Sequence, residues 1–161
     1  MRIIKFLLLT MLLSQTACAK SVDNMDEANE WFENNKLELV SIKDVLINHP
    51  NIKRIDTELR LKFIPKYADF SDEDLKTYDD LLEKCKQLGI KNISIIRRGN
   101  SSDGELITVG YTLFSEGFVN NGYAISTEFI PDESFLDKAK KHGLVHIPQS
   151  VENWYLVEYQ N

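Results

Sequence analysis

Two segments near the middle of the chain alternate apolar and polar residues, and this alternation most restricts the possible fold. Residues 106–114 alternate, and in residues 123–129 one face collects Tyr123, Ile125, Thr127 and Phe129. A period of two is typical of a strand with one buried face. Turn residues separate the two segments, first Ser115-Glu116-Gly117 and then Asn120-Asn121-Gly122. The pattern predicts an antiparallel hairpin over residues 105–130.

Two other segments have the three- to four-residue period of an amphipathic helix. Residues 24–48 form one such stripe, in which Asn34-Asn35 is a point where the helix could break. Residues 72–88 form the clearer stripe. Ser71 is a good N-cap, Asp74 is placed to complete a variant of the capping box, and Gly89 supplies the C-terminal stop.

The remaining periodic segments are shorter. We predict strands at residues 52–55, 59–64, 90–96 and 154–159, and a short helix over residues 132–142. No repeat or Pro/Gly/Ser-rich linker divides the chain. The expected fold is a single α+β domain, with an antiparallel or mixed sheet of about five to six strands and two to three packed helices.

The first nineteen residues have the three parts of a secretory signal peptide. Two charges, Arg2 and Lys5, precede an apolar run from Phe6 to Leu13, and small residues end at Ala19. The run is too short to span a bilayer, which needs about 20 apolar residues. We therefore expect a signal peptide at residues 1–19, a domain at residues 20–161, and a soluble periplasmic protein.

A second interpretation of the same segment is a bacterial lipoprotein signal. Residues 15–18 resemble a lipoprotein box, although Gln15 stands where that box prefers an apolar residue. In this interpretation Cys18 is lipidated and anchors the domain to a membrane of the cell envelope. Cleavage before Cys18 and cleavage after Ala19 both stay open.

Charge restricts the partners. Residues 20–161 contain 17 basic and 25 acidic residues, a net charge of about −8. Nucleic acid is not an expected partner, because binding to phosphates depends on Lys and Arg. Anionic membrane surfaces are disfavoured for the same reason, which leaves membrane contact to the signal peptide or a lipidated Cys18. The charge is compatible with a basic protein partner and also with plain solubility.

No motif indicates catalysis, a cofactor or a metal. The three histidines, His49, His142 and His146, are expected on the surface, since no Cys pair or HExxH motif completes a metal site. Cys85 lies on the apolar stripe of its helix and is expected to be a buried thiol. The carboxylates of the same helix are expected on its solvated face: Asp72, Glu73, Asp74, Asp79 and Asp80.

Aromatic residues are frequent in the C-terminal half of the chain. One loop in this half has two apolar residues flanked by polar ones. This loop is residues 115–121, with Phe118 and Val119 at its centre. An exposed apolar pair on a loop indicates binding, whereas a loop folded over the sheet edge has a structural role. The candidate partner contacts are Glu116, Phe118, Asn120 and Asn121.

Three segments of the last third carry a resemblance. Residues 111–118, residues 121–125 and the ending Asn153-Trp154-Tyr155-Leu156-Val157-Glu158-Tyr159 resemble small exported bacterial proteins. Some of these are similar to immunity proteins that neutralise secreted antibacterial toxins. The resemblance rests on glycine turns and a terminal aromatic strand, and it implies no catalytic residue.

These observations lead to one main hypothesis and two alternatives. The main hypothesis is an exported periplasmic binding protein or immunity-type inhibitor without catalytic activity or cofactor. The first alternative is a cell-envelope hydrolase with a carboxylate site, which requires converging acidic residues. The second is a lipoprotein with a structural role.

Overall fold

The computed structural model describes residues 22–57, 70–98, 104–116, 123–131, 134–137, 145–148 and 151–160. These residues form two long helices, six strands and a short helical turn at residues 134–137. In chain order the elements are α1 (Met25–Asn48), β1 (Arg54–Asp56), α2 (Asp72–Leu88), β2 (Asn92–Arg97), β3 (Leu106–Glu116), β4 (Tyr123–Phe129), β5 (Val145–Pro148) and β6 (Trp154–Gln160). No helix in these ranges combines the length and the apolar character needed to cross a bilayer.

The strands form one antiparallel sheet in the order β1-β2-β3-β4-β6-β5. The predicted hairpin is confirmed, because β3 and β4 pair directly from Val109 opposite Phe129 to Glu116 opposite Tyr123. A register shift in β3 between Thr112 and Phe114 breaks its strict alternation. The expected α+β class is confirmed, and all pairings between the described strands are antiparallel.

Both long helices agree with the sequence pattern. Helix α1 runs without a break through Asn34-Asn35, where the Asn35 side-chain amide donates to the carbonyl of Trp31 at 2.7 Å. Helix α2 has the predicted bounds. Ser71 and Asp74 form a complete capping box, and Gly89 has the left-handed conformation, with φ of 75°, that ends many helices.

The helices pack on one face of the sheet, and Tyr111 on β3 is at the centre of the contact. Its side chain is fully buried, and its hydroxyl donates to the carbonyl of Leu39 in α1 at 3.0 Å. The ring of Trp154 lies 5.6 Å from that of Tyr111 and 5.8 Å from that of Phe32 in α1. These aromatic side chains join α1 to the middle of the sheet.

Three predicted segments differ from the structure or lie outside it. The predicted strand 59–64 and most of the predicted helix 132–142 fall outside the described residues. The strand expected at residues 52–55 is β1, Arg54–Asp56, and Ile52 before it is buried. Strand β5 was not predicted, because four residues ending in Pro148 give too short a pattern. Proline is tolerated there since β5 is an edge strand.

A buried hydroxyl on β4 gives the first prediction. The Thr127 side chain is fully buried and its hydroxyl has no hydrogen-bond partner among the described residues, which is a net cost to the folded state. Replacing Thr127 by Val keeps the shape and removes that cost. Thr127→Val is expected to raise the free energy of unfolding by about 1 kcal/mol, measured by urea denaturation.

Thr108 is the matched control. It is also buried on the sheet, but its hydroxyl donates to the carbonyl of Phe129 at 3.0 Å. Thr108→Val is therefore expected to lower the free energy of unfolding by about 1 kcal/mol. Equal destabilisation by both substitutions would contradict the unpaired state of the Thr127 hydroxyl.

Candidate functional site

Helices α1 and α2 lie antiparallel, side by side, and polar contacts hold them at both ends. At one end, Trp31 Nε1 in the second turn of α1 donates to the carbonyl of Leu88, the last residue of α2, at 3.0 Å. At the other end, Nδ1 of His49, the C-cap of α1, lies 2.9 Å from Oδ1 of Asp74 in the first turn of α2. The start of each helix therefore lies beside the end of the other.

The second of these contacts belongs to a four-residue cluster that we call the helix junction: His49, Asn51, Ser71 and Asp74. The Asn51 amide donates to Asp74 Oδ2 at 3.0 Å. The backbone N–H of Ser71 donates to the same oxygen at 3.3 Å, and the Ser71 hydroxyl accepts from the backbone N–H of Asp74 at 3.0 Å. One carboxylate thus caps α2 and binds the segment that follows α1.

The helix junction fixes the charge of Asp74. Hydrogen bonds from Asn51 and His49, together with those from Ser71, lower the pKa of Asp74 from 3.8 to about 2, although burial opposes the shift. Because an ionised carboxylate only accepts hydrogen bonds, Nδ1 of His49 must carry the proton in this contact. The negative charge at the start of α2 also suits the helix dipole.

A groove runs between the two helices. Its first part has a volume of about 360 Å³ and an apolar floor formed by Ile42 and Val45 of α1 and Leu81 of α2. The full lining of this part is Ser41, Ile42, Val45, His49, Thr77, Asp80, Leu81 and Lys84. The helix junction borders it, since His49 belongs to both.

The second part of the groove continues along α2 and is acidic. It has a volume of about 500 Å³, and three carboxylates line it, those of Glu38, Asp80 and Glu83. The Lys84 ammonium lies among them and forms an ion pair with Glu38 across the two helices. Asp80 and Lys84 line both parts, so the two parts are adjacent. We call the whole feature the interhelical groove.

The helices that form this groove carry most of the net charge of the domain. Helix α1 contains six acidic and two basic residues, and α2 contains six acidic and three basic residues, which gives a net charge of −7. Residues 20–161 together carry about −8. The negative charge is therefore concentrated on one layer of the fold.

A second polar cluster lies on the opposite face of the sheet. Glu128 on β4 is only 5% exposed, and its Oε1 accepts hydrogen bonds from the Ser126 hydroxyl at 2.8 Å and from the Tyr159 hydroxyl. Glu128 is paired with Gly110 on β3, where a Cβ would lie 3.6 Å from its side chain. That distance is ordinary van der Waals contact, and the closer neighbour of the added Cβ would be Ser94 Oγ at 3.3 Å.

Burial raises the pKa of Glu128, although the hydrogen bonds from Tyr159 and Ser126 act in the opposite direction. Burial likewise raises the pKa of Tyr159, and the Glu128 charge adds to that shift. A carboxyl group in such a place resists ionisation. The sequence signal was only partial, because alternation puts Ser126 and Glu128 on one face but does not bring Tyr159 beside them.

The residues predicted to contact a partner are mostly outside the described ranges. Glu116 is the last residue of β3, exposed, and paired with Tyr123. Phe118, Asn120 and Asn121 lie outside the described residues, and so do Cys18 and the signal peptide. The structure thus places Glu116 at the end of the β3–β4 hairpin, and the role of the four residues stays a prediction.

The expectation for Cys85 is confirmed. The thiol is free, fully buried in α2, and its pKa is raised to about 12 by burial. Such a thiol is not ionised at neutral pH and is a poor nucleophile. Among the residues that the structure describes, no group of three or more His, Cys, Asp or Glu side chains is arranged to hold a metal ion.

Two expectations about polar residues need correction. Asp72, Glu73, Asp79 and Asp80 are exposed on α2 as predicted, but Asp74 is only 6% exposed, because the helix junction encloses it. His49 was expected on the surface, and its side chain is only 19% exposed beside Asp74. Sequence reasoning predicted the Ser71–Asp74 capping box but missed the contacts of Asp74 with His49 and Asn51, which lie 25 and 23 residues away in the chain.

Comparison of the chain with known protein families, with curated proteins and with solved structures finds no match. What the protein does must therefore be inferred from the chemistry of its own surface.

The two buried carboxyl groups predict opposite pH dependences. Asp74 has a lowered pKa, so its stabilising effect is complete above about pH 3.8 and is lost as the pH falls towards about 2. Asp74→Asn is expected to lower the free energy of unfolding by about 2 kcal/mol at neutral pH, since it breaks hydrogen bonds to a charged group. The difference from the unsubstituted protein should shrink over that acidic range, as measured by urea denaturation at a series of pH values.

Glu128→Gln is the matched control, since glutamine imitates the protonated acid. The pKa of Glu128 is raised above 4.5, so the unsubstituted protein loses stability as the pH rises above that value. The glutamine variant lacks this loss and should become relatively more stable as the pH rises. Two variants whose stability followed that of the unsubstituted protein in parallel at every pH would contradict both assignments.

Proposed function

We propose that the protein is a non-catalytic binding protein of the bacterial cell envelope, and that its partner is a basic protein. An immunity-type inhibitor of a secreted toxin is the form of this function that the resemblance of residues 111–118, 121–125 and 153–159 favours. The observation that supports the proposal most is the concentration of net charge, −7, on the two-helix layer. A field of one sign on one face attracts and orients a partner of opposite charge.

The helix layer also exposes apolar surface beside its charges. Leu37 is 81% exposed and Ile47 is 40% exposed, both on α1. Leu37 is followed by Glu38, which lines the interhelical groove. Apolar side chains within a charged surface can be buried against a partner and add binding energy. Electrostatic attraction at long range does not supply this contribution.

The carboxylates of α2 favour binding over hydrolysis. A hydrolase with a carboxylate site, the alternative considered, needs acidic groups that converge on one substrate bond. Asp72, Glu73, Asp79 and Asp80 are exposed, and Asp74 is engaged in the helix junction. Their arrangement therefore supports an acidic contact surface more than a catalytic pair, and the same acidity disfavours nucleic acid as the partner.

We also propose that residues 1–19 direct export. The N-terminal peptide of the protein isolated from its native host tests this by mass spectrometry. A chain that begins at Lys20 is expected for the soluble periplasmic form, and a chain that begins at a diacylated Cys18 is expected for the lipoprotein. An intact Met1 on the cytosolic protein would contradict the envelope location.

The binding proposal predicts capture that depends on charge. Immobilised residues 20–161 are expected to retain a basic protein from an envelope extract at low ionic strength and to release it at about 1 M salt, where the Debye length is about 3 Å. Glu30→Gln, Asp79→Asn and Glu83→Gln together, all exposed on the helix layer, should weaken binding about tenfold, a loss of about 1.4 kcal/mol. The retained protein is identified by mass spectrometry, and its dissociation constant is measured by calorimetry.

The control removes the same charge from the sheet side of the domain. Glu105, Glu116 and Glu152 are exposed there, and their replacement by Gln should change the dissociation constant less than twofold. Retention of no basic protein at low salt would contradict the proposal. If the control triple lost more affinity than the helix triple, the contact surface would instead lie on the β3–β4 hairpin, near Glu116.

A further inference from the structure

We propose that the interhelical groove is the specificity site of the contact surface, and that it receives an arginine side chain of the basic partner. The inference rests on the proposed binding function and names the residues and the side-chain chemistry that it uses. It follows from the juxtaposition, between the two helices, of an apolar floor and a lining that contains three carboxylates and the Lys84 ammonium group.

The apolar floor suits the aliphatic part of a long basic side chain. Ile42, Val45 and Leu81 line the part of the groove with a volume of about 360 Å³. Lys and Arg side chains bury their methylene groups along such surfaces while the charged end reaches polar groups. A purely acidic surface would attract a cation, but it would not bury the methylene groups.

The groove already holds one cation of this kind. The Lys84 side chain is 34% exposed, and its ammonium pairs with Glu38 on the opposite helix. Glu83 and Asp80 line the same part of the groove, and Glu83 forms an ion pair with Lys86 at 3.6 Å. Three carboxylates therefore face two ammonium groups, which leaves one negative charge in excess. The groove is thus able to hold a cation and is not neutralised by its own lysine.

Arginine fits this site better than lysine. Asp80 and Glu83 are three residues apart on α2 and lie on one face of the helix. The planar guanidinium group can donate to two carboxylate oxygens at once, whereas an ammonium acts as a point charge. A groove lined by carboxylates of neighbouring turns therefore selects arginine.

The experiment uses residues 20–161 and a short peptide in which three arginines alternate with glycines. A peptide with lysine in place of arginine and a peptide with neutral citrulline are the comparison probes. We expect the arginine peptide to bind more tightly than the lysine peptide, and the citrulline peptide not to bind, by calorimetry at low salt. The methyl NMR signals of Ile42, Val45 and Leu81 should shift on binding, since these groups form the floor.

Two pairs of variants separate the groove from general charge attraction. Asp80→Asn with Glu83→Gln should weaken arginine binding about tenfold, whereas Asp26→Asn with Glu33→Gln, an equal charge change at exposed sites of α1, should weaken it less than twofold. Lys84→Ala should strengthen binding severalfold by freeing the carboxylates. Lys76→Ala, an equal charge change at an exposed site of α2, should have little effect.

The outcomes distinguish the two proposals. The groove inference would be overturned if each groove variant changed the affinity for the arginine peptide no more than its control variant did. Equal affinities for the arginine and lysine peptides would also overturn it. Either result would leave the charged contact surface in place. Failure of every basic peptide and every basic envelope protein to bind would overturn both. Tighter arginine binding that depends on Asp80, Glu83 and Lys84 as stated supports the groove.

Discussion

The carboxylate of Asp74 is the contact on which the arrangement of the helix layer depends. It completes the capping box of α2, and it also accepts hydrogen bonds from His49 at the end of α1 and from Asn51 beyond it. A group this buried would be costly without partners, but Asp74 has several, and its pKa is lowered to about 2. At the other end of the layer, the hydrogen bond from Trp31 to Leu88 completes the alignment. The interhelical groove exists because the two helices are held at both ends.

The same alignment concentrates negative charge. Two helices that each carry excess acid lie side by side, and their mutual repulsion opposes folding. Only a few contacts within the layer offset it, among them the ion pair between Lys84 and Glu38. The contacts that stabilise the helix layer lie between α1 and the sheet. There the Tyr111 hydroxyl donates to the carbonyl of Leu39, and the ring of Trp154 packs against that of Phe32. An acidic surface that is costly to the isolated domain is understandable if a basic partner neutralises it, and this is the physical basis of the proposed function.

The sequence predicted those parts of the fold that depend on local pattern. Alternation in residues 106–114 and 123–129 predicted the hairpin, and Ser71, Asp74 and Gly89 predicted the bounds of α2. It did not predict β5, because four residues carry no clear period and the pairing with β6 is set by the sheet.

The candidate site was less predictable. Asp74 was expected in solvent, since its contacts with His49 and Asn51 join positions more than twenty residues apart. Glu128 was missed because Tyr159 reaches it only through the pairing of β4 with β6. The groove was not predicted either. Its residues belong to the apolar stripe or the solvated acidic face that any amphipathic helix has, and they form one site only where α1 and α2 pack side by side.

Carboxylate footprinting tests the central claim most directly, since it compares the helix layer with the hairpin in one experiment. The exposed carboxylates of residues 20–161 are modified with a water-soluble carbodiimide and an amine, with and without the arginine peptide, and the modified sites are found by mass spectrometry. Protection of Glu38, Asp80 and Glu83, with unchanged modification of Glu116, is the result that the account predicts. Protection of Glu116 with unchanged modification of the helix carboxylates would contradict it.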